Sequence, residues 1–249
     1  MSTSLLVEEY LKRLRLPAIL REYKEIMRDA ESRGMNYEEF LRVLLENEVN
    51  QRNDNMLNLR IRQAKFPFPK TIDSFDFSSA PYINKPKVLG LHRSEFIDKK
   101  ENIILVGNSG TGKTHLSISL GYAACHNGYT VQFWSAAHLC NELLEAQSEK
   151  KLLALEKKWL KTDLIILDDI GYIPFSKAGA QLLFQFCASR YEKGSMIVTS
   201  NLEFSNWTQV FGDEQMTVAL VDRLTHRSHI LVMNGDSYRF KESLKSQIL

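Results

Sequence analysis

The run Gly107-Asn108-Ser109-Gly110-Thr111-Gly112-Lys113-Thr114 fits G-x-x-x-x-G-K-[ST] and directly follows the apolar segment Asn102–Val106. A buried strand that feeds a glycine loop and then a helix is the opening of a βα unit, so this run commits the chain to an α/β fold with a parallel sheet. The loop is a phosphate-binding loop.

A nucleoside triphosphate tail carries several negative charges that must be held by donors without crowding. Gly107, Gly110 and Gly112 let the backbone curl so that its N–H groups point inward. The helix starting near Lys113 adds unpaired N-terminal amides and the positive end of its dipole. Lys113 is expected to reach the β- and γ-phosphates, and the Thr114 hydroxyl to ligate Mg²⁺. The expected cofactors are ATP and Mg²⁺, with cofactor contacts from Gly107, Asn108, Ser109, Gly110, Thr111, Gly112, Lys113, Thr114 and the adjoining His115.

A 44% apolar and 25% charged composition over 249 residues describes an ordinary globular chain holding one large domain, or one domain and a small companion. No uninterrupted apolar stretch approaches membrane-spanning length, and the amphipathic N-terminus lacks a signal-peptide core. A cytoplasmic protein with no membrane partner is expected. Cys125, Cys140 and Cys187 lack C-x-x-C spacing and fall in segments of helical periodicity, which favours buried free thiols over disulfides or metal ligands.

The net charge of +2 says little about partners, but local charge says more. Between Gln51 and Lys70, five positive side chains, among them Arg60 and Arg62, face only Asp54. A second cluster holds Lys150, Lys151, Lys157, Lys158 and Lys161 against Glu149 and Glu156. Such runs are either solvated faces or contacts for a phosphate backbone.

Residues 1–66 read as a small helical domain. Pro17 suits a first helical turn, Ile19, Leu20, Tyr23, Ile26 and Met27 mark one face, and Gly34 ends the helix. Asn36 with Glu39 resembles a capping box, after which Tyr37, Phe40, Leu41, Leu44, Leu45 and Val49 recur at helical spacing. Phe66-Pro67-Phe68-Pro69 stops the last helix and opens a linker over 67–101. From 102 to 249, apolar strands near Asn102–Val106, Val131–Trp134, Leu164–Leu167, Met196–Thr199 and His229–Val232 alternate with helices, which implies a parallel sheet covered on both faces.

Hydrolysis needs a held metal and an aimed water. Leu164-Ile165-Ile166-Leu167-Asp168-Asp169 is an apolar strand ending in two carboxylates, the usual form of a Walker B element. Asp168 is expected to help hold Mg²⁺, and Asp169 to orient or deprotonate the attacking water. Capping of the next helix is the plainer alternative for the pair. Asn201, at the end of the strand that follows Walker B, is read as a sensor of γ-phosphate and water, although an asparagine there also suits a turn.

Three segments, Gly107–Leu116, Leu164–Tyr172 and Ile197–Asn201, resemble the IstB family of AAA+ ATPases, helpers of insertion-sequence transposases. So do Phe211-Gly212-Asp213, Val221-Asp222-Arg223-Leu224-Thr225-His226-Arg227-Ser228-His229 and Gly235-Asp236-Ser237-Tyr238-Arg239, and the linker Thr71–Phe77. The likeness spans nearly the whole chain and extends, less closely, to the DnaC helicase loader. It implies an AAA+ P-loop NTPase with its helical lid absent or truncated, since only about a dozen and a half residues follow the last strand. It also implies an arginine reaching a neighbouring subunit's ATP site: Arg223 first, Arg227 second, Arg190 third. A guanidinium there stabilises charge on the γ-phosphoryl oxygens in the transition state.

The resemblance further implies a homo-oligomeric ring or spiral on duplex DNA, with ATP sites at subunit interfaces and a transposase as partner. Lys150, Lys151, Lys157 and Lys158, together with Arg60 and Arg62, are the candidate DNA contacts. Ile72, Phe75 and Phe77 could pack on the adenine ring or against the sheet edge. The runner-up is a replicative helicase loader of the DnaC type. A small-molecule P-loop kinase is the alternative from another class, but it would need an acceptor pocket and lid arginines.

Overall fold

The computed structural model describes residues 3–172, 174–240 and 243. The chain divides into two compact units, 1–59 and 60–249.

The first unit consists of α1 (Thr3–Arg13), α2 (Pro17–Arg33) and the greater part of α3 (Tyr37–Ala64). Pro17 opens α2, and Gly34, at φ 64°, closes it in a left-handed cap whose N–H returns to the helix. Asn36 accepts the Glu39 amide at 2.8 Å. Ile19, Tyr23 and Leu44 form the core with Leu11, Leu16, Ile26 and Phe40 against them. The apolar stripe of α3 is wider than the surface this small core covers. Phe40 and Leu44 pack, whereas Tyr37, Leu41, Leu45 and Val49 are exposed, so the expected single buried face is only half realised.

The second unit is built on a five-stranded sheet, β1 (Asn102–Val106), β2 (Val131–Ser135), β3 (Leu164–Ile170), β4 (Ser195–Ser200) and β5 (Ser228–Val232), all parallel, in the order β2-β3-β4-β1-β5. The central strands β1, β3 and β4 are mainly apolar because both their faces are covered, whereas the edge strand β5 leaves Ile230 and Val232 exposed. Ile104, Ile165, Leu167 and Val198 join one large core with Trp134, Leu139, Leu183, Phe186 and Leu220. Ile103, Leu105, Ile166 and Ile197 are equally buried, and α6 (Lys113–His126) packs on the sheet, its Gly121 lying against Ile166 and Phe66. The remaining helices are α4 (Lys85–Leu91), α5 (Glu95–Asp98), α7 (Ala136–Ser148), α8 (Leu152–Leu160), α9 (Lys177–Arg190), α10 (Thr208–Phe211) and α11 (Glu214–Thr225).

Residues 67–101, expected as a linker, carry α4, α5 and a 3-10 turn at Ile72–Ser74, and bury Phe75, Val88, Phe96 and Ile97. Among the described residues no helix is long and apolar enough to cross a membrane. The three cysteines are free and buried; burial pushes the Cys125 thiol up to about 11 and the Cys187 thiol up to about 12.

Candidate nucleotide site

β1 ends at Val106 and the glycine loop begins at once. Its base is pinned to both neighbouring strands, with Gly107 N–H donating to Ser200 O at 3.1 Å and Met233 N–H to Val106 O at 2.7 Å. Gly112, at φ 94°, turns the chain into α6 and accepts the Leu116 amide at 2.9 Å. A side chain there would lie 2.9 Å from the Phe75 ring, so the position needs glycine for both its backbone and its neighbour.

The Lys113 ammonium donates to Gly107 O and Asn108 O, each at 2.7 Å. Burial lowers its pKa, and the charges of Asp169 and Asp168 oppose that shift. The Thr114 hydroxyl donates to Asp168, 3.1 and 3.0 Å from its two oxygens. Thr114 at the start of α6 and Asp168 at the end of β3 therefore meet as an all-oxygen pair, the donor type that suits Mg²⁺.

The two aspartates differ sharply in environment. Asp168 is 4% exposed, and burial pushes its carboxyl up to about 6, with the Asp169 charge raising it further and the Thr199 and Thr114 hydroxyls opposing. Asp169 points to solvent. Thr199 Oγ1 donates to Asp168 Oδ1 at 2.7 Å and accepts the Asp169 amide at 2.8 Å. Asn201 is exposed just past β4, and its side-chain oxygen stands over Gly171, in the loop leaving β3. Lys113, Thr114, Asp168, Asp169 and Asn201 thus gather around the carboxyl ends of β1, β3 and β4, where ligands bind in open α/β sheets.

Two segments distant in sequence from the loop pack beside it. Phe75 is buried against Gly112 and meets His115 edge-on at 5.2 Å, while His115 Nε2 bonds Thr71 O and Ser74 Oγ, each at 3.2 Å. Phe75 thus packs on the glycine loop and the first turn of α6. Beyond β5 the chain returns to the loop: Tyr238 N–H donates to Gly110 O at 2.9 Å, and Ser237 lies directly against Gly110. The Arg239 charge acts on Lys113. The sequence signal for this segment was Gly235-Asp236-Ser237-Tyr238-Arg239, a run without local periodicity whose position only the fold supplies.

The candidate arginines separate clearly. Arg223 donates to Ala219 O at 2.8 Å within α11, and its guanidinium lies 5.3 Å over the Phe184 ring of α9. Arg227 is exposed. Arg190 corrects the expectation that it could approach a phosphate: it is 1% exposed and donates to the carbonyls of Trp159, Thr162, Asp163 and Ser195 at 2.5, 3.0, 3.3 and 3.2 Å. Such a residue ties α8, the turn before β3 and the start of β4 together inside the protein, away from the glycine loop.

Lys150, Lys151, Lys157 and Lys158 are exposed at the junction of α7 and α8 and along α8, and Lys151 pairs with Glu149 at 2.7 Å. Arg62 is exposed. Arg60 is half-buried, close enough to α6 for its charge to act on Cys125.

The sequence profile of the IstB-like ATP binding proteins matches residues 9–246. The chain is 38% identical over 236 residues to the protein of Geobacillus stearothermophilus named as an ATP-binding protein of insertion sequence IS5376, covering 95% of this chain and 94% of that one. With the corresponding IS21 protein of Pseudomonas aeruginosa it shares 37% over 243 residues, 98% of this chain and 92% of the other. Among solved structures, AMPPCP-bound DnaA from Aquifex aeolicus is similar with a TM-score of 0.56 and 22% identity over 74% of this chain and 57% of that one. The DnaC helicase loader is similar with a TM-score of 0.50 and 20% identity over 70% of this chain and 98% of that one. This chain spans little more than half of the DnaA chain, and at these identities the likeness describes the AAA+ fold.

Proposed function

The chain belongs to the IstB-like ATP-binding protein family, and from that premise we propose that it is a Mg²⁺-dependent ATPase that assembles on duplex DNA and assists a transposase in target selection and insertion. The observation that carries the enzymatic part is the meeting of Thr114 and Asp168, 3.0 Å apart, beside Lys113 and the exposed Asp169. The loop amides and Lys113 would hold the phosphates, Thr114 and Asp168 the metal, and Asp169 with Asn201 the attacking water. Bound Mg²⁺ would neutralise charge on the β- and γ-oxygens.

Arg223 is the proposed contribution to a neighbouring subunit's site. A guanidinium supplied in trans makes the γ-phosphate a contact between subunits, so nucleotide state and assembly become one equilibrium. Arg239 is a proposed cis contact to the same phosphates, on the ground that the preceding residue, Tyr238, is bonded to Gly110 O of the loop. The exposed lysines of α8, Lys157 and Lys158, with Lys150 and Lys151 just before it, are proposed DNA contacts, together with the exposed Arg62 and the half-buried Arg60. Binding through them would weaken steeply with salt and show little base preference.

The test mixes the protein with duplex or single-stranded DNA, in ADP or a non-hydrolysable ATP analogue, and measures DNA binding and particle size. Large assemblies formed only with duplex and the analogue are the expected result. A persistent monomer, or assembly indifferent to nucleotide, would overturn the proposal, and a preference for single strands would favour a helicase loader instead.

A further inference from the structure

β3 is irregular at the point where it delivers its carboxylates. Its pairing with β4 shifts register between Leu167 and Ile170, and within that shift Asp169 takes a left-handed backbone, φ 60°. Few residues with a Cβ adopt this conformation, and those that do are held there by their surroundings. The consequence is functional, because two adjacent aspartates are separated into one buried and one exposed carboxylate. An extra residue in a strand also leaves an amide without its ladder partner.

Thr199 answers both requirements with one hydroxyl. Its Oγ1 accepts the Asp169 N–H at 2.8 Å and donates its own proton to Asp168 Oδ1 at 2.7 Å. The bond to Asp169 fixes the backbone that turns the second carboxylate outward. The bond to Asp168 fixes the rotation of the first. Ser200, next along β4, differs: its hydroxyl donates to the backbone carbonyls of Ile170 at 2.7 Å and Leu202 at 3.1 Å and touches neither carboxylate. Thr114, the other donor to Asp168, is also the residue whose hydroxyl would turn to Mg²⁺. Once it does, Thr199 is the donor that remains on the carboxylate.

We propose that Thr199 is a positioning residue of the hydrolytic site, tying Asp168 and Asp169 into one fixed pair so that the metal-holding oxygen and the water-aiming carboxylate keep a constant relation. This rests on reading those two aspartates as the metal- and water-handling groups. A hydroxyl is required and a methyl is not, because only the oxygen can accept one bond and donate the other. Outer-shell groups of this kind typically change metal affinity or activity by about 10- to 100-fold when removed.

The decisive comparison is T199V, which keeps the shape and loses the hydroxyl, against T199S, which keeps the hydroxyl and loses the methyl. Binding of a fluorescent non-hydrolysable ATP analogue is titrated with Mg²⁺, and ATP turnover is measured in parallel. For T199V the Mg²⁺ concentration at half-maximal binding should rise about tenfold or more and turnover should fall by a similar factor, with T199S close to wild type in both. T199A serves as a second hydroxyl-free variant should T199V fold poorly. A hydroxyl-free variant that folds with wild-type Mg²⁺ dependence, or a folded T199S no better than T199V, overturns the inference. If wild-type analogue binding ignores Mg²⁺ altogether, it is the reading of the aspartates that fails.

Discussion

The Thr114 hydroxyl lies 3.1 and 3.0 Å from the two carboxylate oxygens of Asp168 and bridges the first turn of α6 to the end of β3. The bond joins the end of the glycine loop to the acidic end of β3, the two halves of the proposed nucleotide site. Thr114→Val removes a hydroxyl that Mg²⁺ needs and leaves Asp168 with Thr199 as its remaining donor. Mg²⁺-dependent binding of an ATP analogue should weaken by about 10- to 100-fold, while Thr114→Ser retains it. Lys113→Ala should lose analogue binding at every Mg²⁺ concentration and, with it, assembly on duplex DNA; a Lys113→Ala protein that still assembled with ATP would separate the loop from the switch.

Arg223 is bonded within its own helix and lies over Phe184, contacts whose loss is worth about 1 kcal/mol. Arg223→Ala should therefore lower the melting temperature by only about 2–4 °C and keep the analogue affinity, but lose about 10³-fold or more in turnover, the scale on which arginine fingers act. Asp169→Asn should likewise bind nucleotide and fail to hydrolyse it. Mixing the two inactive proteins tests the geometry directly. Assemblies in which an Asp169→Asn subunit offers Arg223 to an Arg223→Ala neighbour should recover turnover, and a mixture as inactive as its components would put Arg223 outside the shared site.

The legible part of this chain is the part encoded locally. The glycine loop needs its residue types at fixed offsets, and parallel strands covered on both faces are apolar runs, so β1 to β5 and the loop could be read directly. Asp168 and Asp169 were legible as a pair, but their division into buried and exposed was not, because it depends on a register shift with β4 and on Thr199, 30 residues away. The placement of Ser237 against Gly110 is likewise a product of the sheet order, which puts β5 beside β1. The role of Arg190 is hidden for a related reason. Its partners are backbone carbonyls of α8, the turn before β3 and the start of β4, and carbonyls leave no mark in a sequence.

Arg190 should accordingly behave as a structural residue. Removing it leaves the carbonyls of Trp159, Thr162, Asp163 and Ser195 buried without their donor, and burial has already lowered the guanidinium to about 10. Arg190→Met should cost on the order of 3 kcal/mol or more, a fall of roughly 10 °C in melting temperature. Arg190→Lys should recover little, since an ammonium cannot span the same set of acceptors. Normal stability with lost turnover would return Arg190 to the catalytic site.

The N-terminal unit carries its own polar anchor. Leu16, the residue before α2, has no side chain to cap the helix, and Glu48 of α3 does so instead: its Oε2 accepts the amides of Ala18 and Ile19 at 2.9 and 3.2 Å, while Arg52 donates to Oε1 at 2.9 Å. Burial works against the ionised form of Glu48, but the bonds from Arg52 and the two amides outweigh it and hold the carboxyl below its ordinary value of 4.5. A depressed value means that the unfolded chain binds the proton more readily, so the stabilisation is fully present above pH 4.5 and is lost as the pH falls through the lower, folded value. Glu48→Gln keeps the shape but loses the charge, and should cost about 1–3 kcal/mol near pH 7. Thermal unfolding of the two proteins from pH 7 downward should therefore show a gap that closes below pH 4.5. A gap that stayed constant or widened on acidification would mean that the amides of α2 are held by something other than the Glu48 charge.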